Sequence, residues 1–202
     1  SFSSLFEPIP NIKLVDCSLK DYFNYNISGK YNLFIPSLIN MLKNREAHYG
    51  LKIDELSSLD INNEIVISTY SQQGELYPIS QLFHPVPKIQ HIIDEFKIKM
   101  GDNTIGCHIR RTDNTTAKYN SSLDKFEQKI SEQIERDPTT KIFICSDDAT
   151  VKSSLLRKYG DRILIYNSTL TRNSYRGIRD AVVELWILSS TKEIWGSFWS
   201  SY

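Results

Sequence analysis

The run IGCHIRRTD (105–113) passes from apolar residues straight into a histidine, two arginines and an aspartate. A guanidinium is a planar fork that donates two parallel hydrogen bonds to phosphate or carboxylate, so Arg110 and Arg111 at a strand end suit an anionic ligand. IFICSDD (142–148) ends another apolar run in Ser146, Asp147 and Asp148, and GSFWSS (196–201) carries Ser197 and Ser200. Asn167, Ser168 and Thr169, with Arg172 further on, follow a fourth run. Cations at one strand end and carboxylates and hydroxyls at the others fit an anionic, hydroxyl-rich ligand. Each residue also has a plainer reading. Arg111 can form a surface ion pair with Asp113, and His108 can be a supporting histidine rather than a proton carrier. Asp148 can favour a helix dipole. SDD resembles part of a metal site but has no third ligand, and no metal is expected.

The surrounding pattern supplies strands and helices to position these residues. Strands are expected at 104–109, 141–146, 162–167 and 193–199, alternating with helices at 121–136, 148–160 and 177–190. Ser121 with Asp124 forms a possible capping box, and Gly160 a helix end. Such alternation describes an α/β domain with a Rossmann-like parallel sheet, and in such sheets ligands lie beyond the carboxyl ends of the strands. If Cys107 and Ile109 face one side of their strand, His108 and Arg110 face the other. No GxGxxG and no GxxxxGK[ST] occurs, so the dehydrogenase and P-loop readings fall away. Before 88, a helix fits 35–45 and a strand 63–69. HPVP (84–87) breaks regular structure and marks a boundary between a partial amino-terminal domain (1–87) and a Rossmann-like domain (88–202). A helix over 88–100 follows, with Ile89, Ile92, Ile93 and Phe96 on one face.

Lysine plus arginine and aspartate plus glutamate both number 24 in 202 residues, so the net charge is zero and the basic excess of nucleic-acid binders is absent. No stretch has the roughly 20 apolar residues of a membrane span. Cys17, Cys107 and Cys145 have no metal-ligand spacing, which suits buried thiols and a cytoplasmic setting. The chain opens without methionine and stops just after a strand-like run, so a clipped start is expected.

IGCHIRRTD, IFICSDD and GSFWSS, in this order, resemble the three motifs of the α-1,6-fucosyltransferases, a family that includes bacterial nodulation-factor enzymes and the animal core-fucosylating enzyme. FSSLFEPIPNI (2–12) is similar to a stretch of the nodulation enzymes. The resemblance implies a GT-B-like glycosyltransferase that moves fucose from GDP-fucose to a glycan or oligosaccharide acceptor with inversion, without metal or cofactor. Arg110 matches the arginine that holds the donor diphosphate, and Asp113 the first motif's aspartate. Asp147 and Asp148 match a donor-site acidic pair, Ser197 and Ser200 lie in the third motif, and Glu184 stands where the family carries an aspartate. Donor binding is thus expected at His108, Arg110, Arg111, Ser146, Asp147, Asp148, Ser197 and Ser200. Catalysis is expected of Arg110, with Asp113 or Glu184 as base. Asn114 and Lys118 replace the lysine and glutamate that follow the first motif in the animal enzyme, so the acceptor differs. Two rival readings are a transferase using another nucleotide sugar and a catalytically degenerate relative that only binds nucleotide sugar or glycan.

Overall fold

The structure, a computed structural model, describes residues 2–10, 83–113, 115–171 and 173–198, and the backbone of 45–49 and 64–68. Pro8–His84 form one compact unit, and Phe2–Glu7 with Pro85–Tyr202 form another. In the first unit, β1 (Arg45–Tyr49) and β2 (Glu64–Ser68) pair in parallel from Arg45↔Glu64 to Tyr49↔Ser68. The strand expected at 63–69 is therefore present. The helix expected at 35–45 lies outside the described residues except for Arg45, which opens β1.

In the second unit the described elements after a short 3-10 turn (Phe2–Ser4) alternate as the sequence pattern requires. They are α1 (Pro87–Lys97), β3 (Thr104–Ile109), α2 (Thr115–Asn120), α3 (Leu123–Arg136), β4 (Lys141–Ser146), α4 (Ala149–Tyr159), β5 (Ile163–Leu164), α5 (Tyr175–Ser189) and β6 (Glu193–Gly196). The strands form a parallel sheet in the order β5-β4-β3-β6. Alternation along β3 and β4 splits the core in two. Ile105, Cys107, Ile109, Ile142 and Ile144 pack against Phe126 and Ile130 of α3 and Val151 and Leu155 of α4. On the opposite face, Phe143 and Cys145 meet Ile89, Ile93 and Phe96 of α1 and Val183 and Ile187 of α5. Each fully buried large side chain contributes about 1.5–3 kcal/mol relative to exposure, so both layers are held firmly. Among the described residues no helix is long and apolar enough to cross a membrane.

Three local expectations are corrected. Ser122, not Ser121, caps α3 by accepting from the Lys125 N–H, because the Ser121 hydroxyl accepts from the Phe198 N–H at 2.9 Å. The strand expected over 162–167 pairs only at Ile163 and Leu164. Beyond them, Tyr166, Ser168 and Thr169 turn their polar groups toward α5. The last strand ends at Gly196, so Ser197 and Phe198 follow it rather than extend it. Gly160 closes α4 with φ +55°, a conformation natural only to glycine.

Candidate functional site

The carboxyl ends of β3, β4 and β6 are stitched together by short polar side chains. Ser197, after β6, donates its N–H to the His108 carbonyl at 3.0 Å, and its hydroxyl accepts from the Arg110 N–H at 3.0 Å. Buried Ser146, at the end of β4, donates to the Ile109 carbonyl at 2.7 Å and accepts from the Asp148 N–H at 3.2 Å. Asp147 holds the loop after β3. One carboxylate oxygen accepts from the Arg111 N–H at 2.6 Å, and the other from the Thr112 N–H at 3.1 Å and the Thr112 hydroxyl at 2.6 Å. These bonds fix where the Arg110 side chain begins.

The Arg110 guanidinium is gripped from one edge. Nε donates to Asp113 Oδ1 at 2.8 Å and Nη2 to Asp113 Oδ2 at 3.1 Å. The plainer reading of Arg111, a surface ion pair with Asp113, does not hold, because Arg110 takes that carboxylate. Arg111 turns away, its Nη2 donating to the Ser121 carbonyl at 2.6 Å, while its buried Nε has no hydrogen-bond partner among the described residues. Lys118 adds a bond from its ammonium to the Thr112 carbonyl at 3.2 Å.

Beside this rim opens a cavity of about 350 Å³ whose wall includes His108, Arg110, Ser146, Asp147, Ser168 and Glu184. Its far side is formed by Thr169 to Thr171 and the first turns of α5 at Gly177, Ile178 and Ala181. Ser174 caps α5 by accepting from the Gly177 N–H at 3.1 Å. A Cβ at Gly177 would lie 1.7 Å from the Thr171 carbonyl oxygen, so only glycine lets that loop close onto the helix. Glu184, 5% exposed, accepts from the Lys152 ammonium at 2.6 Å and the Ser168 hydroxyl at 2.9 Å. One turn earlier, buried Asp180 accepts from the Thr169 N–H at 2.9 Å and from the Arg179 guanidinium.

Electrostatics follow from this packing. Burial pushes the His108 pKa down to about 4; Asp147 opposes this and Arg110 adds to it, so the imidazole is neutral at neutral pH. Burial pushes Asp147 up, but the Thr112 hydroxyl and the Arg111 and Thr112 N–H groups outweigh it and hold the carboxyl below its usual range. Asp180 follows the same pattern, with the Thr169 N–H and Arg179 overcoming burial. The bond to Asp113 holds the Arg110 guanidinium above its ordinary value, and burial lowers Arg111.

Of the residues singled out in the sequence, His108, Arg110, Ser146, Asp147 and Glu184 meet at one cavity. Ser197 stands behind Arg110, Asp113 pairs with it, and Asp148 caps α4 by accepting from the Thr150 N–H at 2.8 Å. Ser200 and Arg172 lie outside the described residues. Sequence reasoning missed Lys152 and Asp180. Lys152 stands outside the apolar stripe of its helix and finds Glu184 and Ser168 on other elements, and Asp180 finds Thr169 and Tyr166 there as well as Arg179 on its own helix; two carboxylates inside a largely apolar helix were the available signal for Asp180. Among the described residues no cluster of histidine, cysteine and carboxylate side chains is arranged to hold a metal.

No protein-family model and no curated protein matches the chain. Solved structures do. A NodZ α-1,6-fucosyltransferase soaked with GDP-fucose superposes with a TM-score of 0.59 at 16% identity, over 99% of this chain and 72% of that one. The fucosyltransferase NodZ from Bradyrhizobium gives 0.53 at 14% identity, over 96% and 70%. An Arabidopsis thaliana FUT1 mutant in complex with GDP gives 0.55 at 14% identity, over 99% of this chain and 58% of that chain. At this identity the likeness is one of architecture. The chain has a partial GT-B-like α/β fold, shared with the α-1,6-fucosyltransferases.

Proposed function

We propose that the chain is a glycosyltransferase that transfers fucose from GDP-fucose to a glycan or oligosaccharide acceptor with inversion, binding the donor in the cavity beside Arg110. The observation that carries this reading is a forked cation at the carboxyl rim of a parallel sheet, held by Asp113 and backed by Ser197. Support comes also from the shared fold with proteins solved with GDP or GDP-fucose. Departure of the nucleotide leaves charge on the diphosphate, and Arg110 strengthens its hold as that charge develops, which lowers the barrier. No metal or cofactor is required. Asp147 fixes the loop, His108 contributes a neutral ring, and Asp113 is the more exposed of the two carboxylates considered for the base. The setting proposed is cytoplasmic, with neither nucleic acid nor a membrane span involved.

Calorimetric titration with GDP, UDP and CDP tests the donor; GDP alone should bind tightly. Arg110→Lys keeps the charge but loses the fork, and should lower turnover by the equivalent of about 2–4 kcal/mol with the fold intact. Turnover equal to wild type would overturn the assignment. A second reading, nucleotide-sugar binding without transfer, is favoured by Lys118, which is tied to the Thr112 carbonyl where the resemblance implies an acceptor-side glutamate. Binding of GDP-fucose without transfer to any acceptor on a glycan panel would select it.

A further inference from the structure

The far wall of the cavity, Thr169 to Thr171, belongs to no strand or helix, yet α5 clasps it at two points. At one, Asp180, 1% exposed, accepts from the Thr169 N–H at 2.9 Å. At the other, three residues earlier on the helix, the Thr171 carbonyl oxygen lies where a Gly177 Cβ would come within 1.7 Å. Positions three apart share a helix face, so both clasps act from one side. Between them Leu170 lines the cavity and is 43% exposed, and Ile178 of α5 joins it there at 40%. The other side carries His108, Arg110, Ser146 and Asp147. A cation facing uncovered aliphatic surface suits a ligand that is anionic at one end and apolar on a ring face at the other. Asp180 divides its oxygens between two duties. Arg179 Nε and Nη2 donate to Oδ1 at 2.9 and 2.5 Å, with the Tyr166 hydroxyl at 3.4 Å, while Oδ2 takes the Thr169 N–H. The Thr169 hydroxyl bonds to the same carboxylate, and Arg176, exposed, stands 4.0 Å from Oδ2.

We propose that Asp180 is a positioning residue: backed by Arg179, it fixes the Thr169 backbone so that Leu170 stands in the cavity as an apolar contact for the ligand. The inference rests on the donor-cavity reading only for the identity of that ligand. A buried ion pair by itself adds little net stability, so the consequence of this one lies in where its second oxygen points. Its range is short. Ser168, one residue earlier, is tied separately to Lys152 and Glu184, so Asp180 sets the path of the chain after Ser168 and not the whole segment. Asparagine has nearly the same shape but cannot serve both partners. Its oxygen stays with the guanidinium, the stronger charge-assisted donor, and its NH2 then faces the Thr169 N–H, donor against donor. A backbone N–H so deprived turns to water, and Leu170, next along the chain, turns with it.

The test pairs amide hydrogen exchange with calorimetry of GDP binding, in wild type, Asp180→Asn, Leu170→Ala and the double variant. In wild type the Thr169 N–H should be protected. In Asp180→Asn it should exchange about tenfold faster or more, the worth of a lost bond to a charged group, while the α5 amides from Val182 onward keep their protection. Leu170→Ala should weaken GDP binding roughly tenfold, the worth of about two methylene groups left uncovered. Asp180→Asn should weaken it to a similar extent, because a displaced Leu170 loses the same contact. Combining the two should then cost no more than either alone, whereas a residue that served stability only would leave the Leu170→Ala loss at its full size. Losses that multiply to roughly a hundredfold, or an unchanged affinity in either single variant, overturn the proposal. Should Asp180→Asn fail to fold, wild type and Leu170→Ala decide: an unprotected Thr169 N–H or an unchanged affinity refutes it. If wild type binds no GDP, the donor reading fails, while the exchange arm still judges the hold of Asp180 on Thr169.

Discussion

Replacing Asp147 by asparagine isolates the contact that holds the arginine loop. The carboxylate accepts three hydrogen bonds, from the Arg111 N–H, the Thr112 N–H and the Thr112 hydroxyl. An amide keeps one oxygen and turns the other acceptor into a donor, so one of the two backbone N–H groups must face an NH2. Hydrogen bonds to charged groups contribute about 1.5–3 kcal/mol each, and water reaching the half-buried side chain returns part of the loss. A net destabilisation of about 2 kcal/mol follows, or roughly 4–8 °C in Tm for a chain of this size. The pH dependence makes the test specific. The folded carboxyl lies below its ordinary value, so its stabilisation is present above that ordinary value, 3.8, and is lost as pH falls through the folded one. Thermal unfolding of both proteins from pH 3 to 8 should therefore give a gap that is full above about pH 5 and narrows toward pH 3. An equal Tm at pH 7, or a gap that does not change with pH, would refute this account of the loop.

Two further outcomes follow from the same packing. Gly177→Ala should destabilise despite the better helix propensity of alanine, about 1 kcal/mol in its favour, because the new methyl would lie 1.7 Å from a backbone oxygen. Calorimetry should register a net loss of roughly 1–3 kcal/mol; a stabilised variant would mean that the Thr171 loop is not pressed onto α5. His108 is held near pKa 4 against an ordinary 6.5, so the unfolded chain binds its proton first. Stability should then fall as pH drops from 6.5 toward 4, by up to roughly 3 kcal/mol at about 1.4 kcal/mol per pH unit. His108→Gln should flatten that limb in urea titrations, and an unchanged slope would remove histidine as its cause.

Much of this was legible in the chain because it is local. Continuous apolar runs gave β3 and β4, and residues directly after those runs gave the rim, since a parallel sheet presents its strand ends together. The errors arise where distant residues decide. Ser121 was read as a cap from its neighbours, but Phe198 takes its hydroxyl. The strand beginning at Ile163 stops early because Asp180 and Glu184 draw Thr169 and Ser168 toward α5. Arg110, not Arg111, pairs with Asp113, because Asp147 takes the Arg111 N–H and Ser121 its guanidinium. Lys152 was invisible for the same reason, as its partner stands 32 positions away.

The serine and aspartate stitches across the strand tips have a kinetic consequence. Ser197, Ser146 and Asp147 order the Arg110 backbone by bonds within the chain itself, so the entropy of arranging that segment is lost during folding and not at each encounter with a small molecule. Capture then needs little rearrangement of the β3 loop. How long a ligand stays against the β3 loop then depends on rupture of its polar contacts rather than on reopening of that loop.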